Sequence, residues 1–281
     1  MTLNGSYSNH SESVDPILVG NLLYLKGRRL VGFYVRVYNR PGVLADLASI
    51  FKKYGVNLWN IVFGARVGIG EVGTGFIVAD FTEATVEPGD VKKELEKLDS
   101  VDYVELVKPQ FSQILADTHH FPIVDDAGSR YIMISEEAQK AIVIRIRERF
   151  GPTGNAFLYY QGVTVGETFR DHCISLGITD LRKALELLLI YTLTTGRYRG
   201  EIVEYSYGDP LREDRIVIRL HYNWECVIAR RHGIQEPSSF YERGVIAGLV
   251  QAFTDRSVSV DETKCICKGD PYCEFTITFH G

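Results

Sequence analysis

The chain has 281 residues, 45% of them hydrophobic and 24% charged, which is the make-up of a globular protein long enough for two ordinary domains. With 36 acidic and 31 basic residues the net charge is −5, which argues against a nucleic-acid surface spread over the whole molecule. The apolar run Leu185–Leu193 is broken by Glu186, Tyr191 and Thr192 and falls far short of the ~20 residues of a membrane span, the N-terminus shows no signal-peptide pattern, and five clustered cysteines fit a reducing, cytoplasmic setting.

In chain order, residues 1–28 read as a tail and lead-in. Residues 1–14 are Ser/Asn-rich and expected to be disordered, with His10 solvated, and Leu18 to Leu25 leads in as a strand. Residues 29–109 form a compact unit. Val31, Phe33, Val35 and Val37 alternate with more polar neighbours, the mark of a half-buried strand. After the turn Asn39-Arg-Pro41-Gly42, Leu44, Leu47, Ala48 and Phe51 recur at helical spacing until Gly55. Strands follow at 57–63 and 76–81, a helix opens at Pro88, and a last strand runs from Val101 to Val107. The order βαββαβ is the ferredoxin-like split unit. Gly68-x-Gly70-x-x-Gly73 lies between two strands, so it reads as a hairpin and not as a nucleotide loop.

That order, with N-R-P-G-V-L at the first strand–helix turn, resembles the ACT domain. The resemblance implies side-by-side pairing of copies and an amino-acid-like effector held near that turn, with Asn39, Gly42 and Asn57 as the contacts. A glycine there lets the backbone approach a ligand, and an open helix N-terminus favours a carboxylate. A plain turn in a ligand-free dimer is the alternative.

Residues 110–128 read as a linker, rich in Pro, Asp and Gly. His119 and His120 should face opposite ways on an extended chain and share no metal. Residues 129–281 form the second domain. Ser135 caps a helix that ends at Gly151–Gly154. A helix carrying Gly162 and Gly166 follows, then a Leu-rich helix capped by Thr179 and stopped by Gly196. Strands at Gly200–Tyr207 and Arg215–Tyr222 flank a hairpin. A helix opens at Ser239 with the capping box Ser239-x-x-Glu242. A cysteine loop and a strand at Glu274–Phe279 close the chain. The fold class is α+β throughout.

The cysteine loop holds Glu262, Cys265, Cys267 and Cys273. Zinc prefers sulfur with one or two N/O donors in a tetrahedron, and a structural site takes four. Glu262, Cys265 and Cys273 supply three, and Cys267 a fourth. Buried free cysteines packing as small hydrophobes are the alternative. Gly244-Val-Ile-Ala-Gly248 followed by Glu262-Thr-Lys-Cys265 and Cys273 resembles the vinyl-4-reductase-type domain, a ligand-binding module related in fold to TRAPP trafficking subunits, over roughly Arg130 to Gly281. The resemblance implies structural zinc. The cysteine that its aromatic-responsive sensors carry five residues before the first helix glycine is Ser239 here, which under the resemblance leaves Cys267 or Cys226 as the substitute ligand. Tyr222-Asn-Trp224-Glu225 is similar to their N-S-W-E stretch, which implies Trp224 as a contact to a hydrophobic or aromatic ligand. A pocket histidine of those sensors falls near Arg197, which favours an anionic ligand.

The sequence lacks G-x-S-x-G, H-E-x-x-H, a phosphate loop and paired carboxylates in a clear cleft, so no catalysis is expected. The expectation is a small-molecule sensor that forms a homodimer or higher even oligomer and passes its state to a downstream protein. The alternatives are an oligomeric scaffold without ligand, or an accessory protein to an aromatic or tetrapyrrole enzyme.

Overall fold

A computed structural model describes residues 16–19, 22–111 and 114–280. The tail expected over residues 1–14, His10 included, lies outside them. The chain divides into two compact units, Met1–Ile132 and Met133–Gly281. Both mix helices with an antiparallel sheet, the α+β class expected.

In the first unit, β1 (Leu22–Tyr24) precedes β2 (Leu30–Tyr38), α1 (Val43–Lys53), β3 (Asn57–Phe63), β4 (Val72–Asp80), α2 (Pro88–Leu95) and β5 (Val101–Val107). The sheet order β3-β4-β2-β5 is wholly antiparallel and realises the βαββαβ pattern. Period-two alternation sends Phe33, Val35 and Val37 to one face, where Leu47, Phe51, Val91 and Leu95 of the helices cover them. Each such side chain contributes roughly 1.5–3 kcal/mol of burial. Leu44, expected on the core face of α1, is exposed, and Val43 is buried in its place.

The opposite sheet face carries Tyr34, Phe76, Val78 and Val107, and it is covered too. β6 (Ile114–Ala116) pairs with β1, and Leu23, Leu25 and Leu115 cap that face. β7 (Ile123–Val124) and β8 (Arg130–Tyr131) form a small hairpin. The segment that reads as a linker is therefore part of the first unit. Its polar composition hides one fully buried residue, Leu115. His119 and His120 do not face opposite ways either. Asp117 accepts both of their backbone N–H groups, which folds the segment into a turn. Both rings then lie against Tyr34, and His120 bridges Asp117 at 2.6 Å and the Thr74 hydroxyl at 2.9 Å.

The second unit opens with α3 (Glu136–Lys140), a π-turn and α4 (Ile146–Phe150). Ser135 caps it through the N–H of Ala138, as expected, and Gly151 ends it at φ 53°. α5 (Pro152–Ser175) and α6 (Leu181–Thr194) follow. The cap of α6 is Asp180, which accepts from Lys183, and not Thr179. The remaining elements are β9 (Arg199–Tyr205), β10 (Arg215–His221), α7 (Trp224–Arg231), α8 (Phe240–Thr254), β11 (Val258–Lys264) and β12 (Cys273–Phe279), with sheet order β11-β12-β10-β9. Neither α7 nor β11 is among the elements expected from the sequence.

Four glycines set the crossing of α5 and α8. A Cβ at Gly162 or Gly166 would lie 2.1 or 2.2 Å from a backbone carbonyl oxygen of α8, and one at Gly244 or Gly248 would lie 2.0 or 2.1 Å from one of α5. The two backbones touch because none of the four carries a side chain. Val245, Ile246 and Leu249 of α8 thereby reach Ile216, Ile218, Phe275 and Ile277 of the sheet. Among the described residues no helix is long and apolar enough to cross a membrane.

Candidate functional site

Cys226 on the first turn of α7, Glu262 on β11, Cys265 just after it and Cys273 at the start of β12 place their donor atoms within 4.8 Å of one another. Cys226 Sγ stands 3.4 Å from Cys265 Sγ and 3.5 Å from Glu262 Oε1. The three thiols are fully buried. Tetrahedral zinc at its usual ~2.3 Å from sulfur would want donors roughly 3.8 Å apart, so these residues fit such an ion in number, type and spacing.

Of the two fourth donors open in the sequence, the structure supplies Cys226. Cys267 is displaced. A 3₁₀ turn at Ile266–Lys268, closed by Gly269 at φ 98°, points its thiol at the Cys226 carbonyl oxygen, 3.3 Å away. Its backbone N–H donates to Cys265 Sγ at 3.4 Å, so Cys267 supports the centre from outside.

Ser239 does not form the expected capping box. Its hydroxyl donates to Glu262 Oε1 at 2.9 Å, accepts from Asn223 Nδ2 at 2.7 Å and lies 3.0 Å from Cys226 Sγ. Its N–H donates to Glu262 Oε2. The first-turn amides of α8 go instead to Glu225, which accepts from Tyr241 and Glu242 at 3.0 and 2.9 Å. No local sequence rule signals a cap that comes from another helix.

The charges of this region are strongly perturbed. Burial, then the charge of Cys265, pushes Glu262 up to about 7. Burial, then the charge of Glu242, pushes Glu225 up to about 8 against the pull of its two N–H donors. Hydrogen bonding from Cys226, then from Cys267 and Cys273, drives Cys265 far below the usual thiol range, and contact with Cys265 holds Cys226 far above it. The donors share protons at close range, and a divalent cation would take the place of those protons.

Trp224 and Arg197 converge, but on a protein carboxylate. Arg197 Nη2 bonds both oxygens of the fully buried Glu242 at 2.7 Å, and Trp224 Nε1 donates to Glu242 Oε1. Burial works against the Arg197 charge, yet Glu242 holds the guanidinium above its ordinary value. The anion expected to come to Arg197 from a ligand is already supplied by the chain. A separation of 45 positions hides this pairing from a reading of the sequence.

A cavity of about 750 Å³ lies in the first unit, lined among others by Asn39, Arg40, Gly42, Ala48, Phe63 and Arg66. Asn39 Nδ2 donates to the carbonyls of Val67 and Gly68, which pins the β3–β4 connection over it. Gly42 takes φ 93° at the start of α1, with no side-chain cap on the helix amides. Asn39 and Gly42 thus meet at one cavity. Asn57 does not line it. It is exposed at the start of β3, opposite Asp80. The 11 residues of α1, ~16 Å of helix, run between that strand start and the Gly42 turn.

Residues 220–279 match the vinyl-4-reductase domain family. An uncharacterised protein of Methanocaldococcus jannaschii is 33% identical over 52 residues, 18% of this chain and 29% of the relative, so the chain spans under a third of that relative's length. The crystal structure of the phenol-responsive sensory domain of the transcription activator PoxR with phenol is 15% identical at a TM-score of 0.49, covering 56% of this chain and 83% of its own. The ACT domain from GTP pyrophosphokinase of Chlorobium tepidum is 20% identical at a TM-score of 0.24, covering 28% of this chain and 97% of its own.

Proposed function

We propose that this chain, with its vinyl-4-reductase domain over residues 220–279, is a non-enzymatic regulatory protein that responds to a small molecule. The observation that carries the reading is the cavity of about 750 Å³ over the Asn39–Gly42 turn. Uncapped helix amides and the residues Arg40 and Arg66 border an otherwise largely apolar space, which suits a carboxylate attached to a short apolar body. An amino-acid-like effector has that chemistry, and the first unit is read as ACT-like, pairing copies into a homodimer or higher even oligomer.

The second unit is read as the vinyl-4-reductase-type module. Zinc held by Cys226, Glu262, Cys265 and Cys273 would brace it, and four protein donors leave no open position for a reactive water. A hydrophobic ligand beside Trp224 would be recognised by apolar contact, since the indole N–H and the Arg197 guanidinium are committed to Glu242. That commitment favours a second reading for this unit, an assembly module that binds another subunit and no ligand. The output passes to a downstream protein in the cytoplasm. Native mass spectrometry of gently purified full-length chain, followed by melts against amino acids and aromatics, tests the proposal. A co-purified small molecule or a ligand-specific shift supports it, and neither appearing counts against it.

A further inference from the structure

Three successive residues at the start of α7 tie the helix to α8 and to the donor cluster. Trp224 donates its indole N–H to Glu242. Glu225 accepts the N–H groups of Tyr241 and Glu242. Cys226 enters the four-donor cluster and touches Ser239, Glu262 and Cys265. Glu225, Cys226 and Glu242 are all fully buried. A close-packed interior transmits a displacement, and a helical turn moves its residues together.

We propose that Cys226 couples metal loading to the Trp224–Glu242–Arg197 contact, so that a filled centre fixes the first turn of α7 and with it the indole. The inference rests on the metal-centre reading proposed above and adds a direction of signalling. Cys226, one of the four cluster donors, is borne by the same helical turn as the indole. Linkage makes the effect reciprocal, so whatever holds Trp224 against Glu242 also strengthens metal binding.

The chain has two tryptophans, Trp59 and Trp224, so Trp59→Phe leaves Trp224 as the only indole reporter. Full-length Trp59→Phe protein, chelated and reduced, is titrated with zinc. Indole emission is followed, and metal per chain is measured by elemental analysis after desalting. The expected result is an emission change that grows with metal uptake and saturates with it. Cys226→Ser in the same background should bind zinc more weakly by over the roughly 100-fold that outer-shell changes cost, with flat emission at any residual loading. Cys267→Ser should keep the emission response. Full loading of the Trp59→Phe chain with unchanged emission overturns the coupling and leaves the metal centre standing, whereas failure to retain zinc overturns both. The first titration decides the matter even if Cys226→Ser does not fold.

Discussion

Ser239 donates its hydroxyl to Glu262 Oε1 at 2.9 Å across 23 residues of sequence, and Glu262 also takes the Ser239 backbone N–H. One residue at the start of α8 thus binds the carboxylate oxygen that Cys226 also touches, and its hydroxyl lies 3.0 Å from the Cys226 sulfur. The position offers a hydrogen-bond donor to the cluster, while the sulfur comes from α7.

Ser239→Ala should leave Asn223 Nδ2 and Glu262 Oε1 with only their longer contacts to Cys226 Sγ, at 3.8 and 3.5 Å. The expected cost is about 1–3 kcal/mol, the penalty for a buried polar group left unsatisfied. Zinc affinity should fall by roughly 10–100-fold, as outer-shell losses do. Denaturant unfolding and competition with a chromogenic chelator measure the two effects.

Gly162→Ala and Gly244→Ala should each disrupt the α5–α8 crossing. The added methyl would sit 2.1 or 2.0 Å from a backbone carbonyl, which cannot swing aside as a flexible side chain can. A loss of about 3 kcal/mol or more is expected, the upper end for overpacking. Gly89→Ala at the start of α2 is the control. Nothing lies within 4 Å of its added methyl, so it should hold stability or raise it by about 0.5 kcal/mol.

Glu225 makes stability depend on pH. Burial, then Glu242, pushes its carboxyl up to about 8, above its value in the unfolded chain. A raised folded value means that the contribution is complete below the ordinary carboxylate range and is lost as pH rises toward about 8. Thermal melts between about pH 5 and pH 9 should show stability falling along that window. Glu225→Gln should remove part of the fall, the rest belonging to Glu262, which burial pushes up to about 7, and an unchanged slope would refute the assignment.

The βαββαβ unit is legible in the sequence because its signals are local. Phe33, Val35 and Val37 alternate, and Leu47 and Phe51 repeat at helical spacing. The Ser135 cap is legible for the same reason. Three of the four cluster donors lie close together in sequence, but the fourth needs the position of α7. The Asn223 side chain makes no cap bond to α7, so those residues read only as a motif. Cys267 is misplaced by spacing alone because a 3₁₀ turn reverses its direction. Glu242 serves Arg197 and Trp224, and Glu225 serves α8, through contacts between distant elements that no periodicity reveals. Asn57 comes from a motif correspondence that carries no distance.

The proposed response to a small molecule is tested most directly by thermal melts of the full-length chain and of Ala48→Phe, whose added ring should fill the cavity over the Asn39–Gly42 turn. In a panel of free amino acids, at least one should raise the melting temperature of the intact chain, and a ligand at ~100 times its Kd would add about 2.7 kcal/mol. The same ligand should leave Ala48→Phe unmoved. A folded, zinc-loaded chain that no member of the panel shifts, or a shift that survives in Ala48→Phe, would contradict the account.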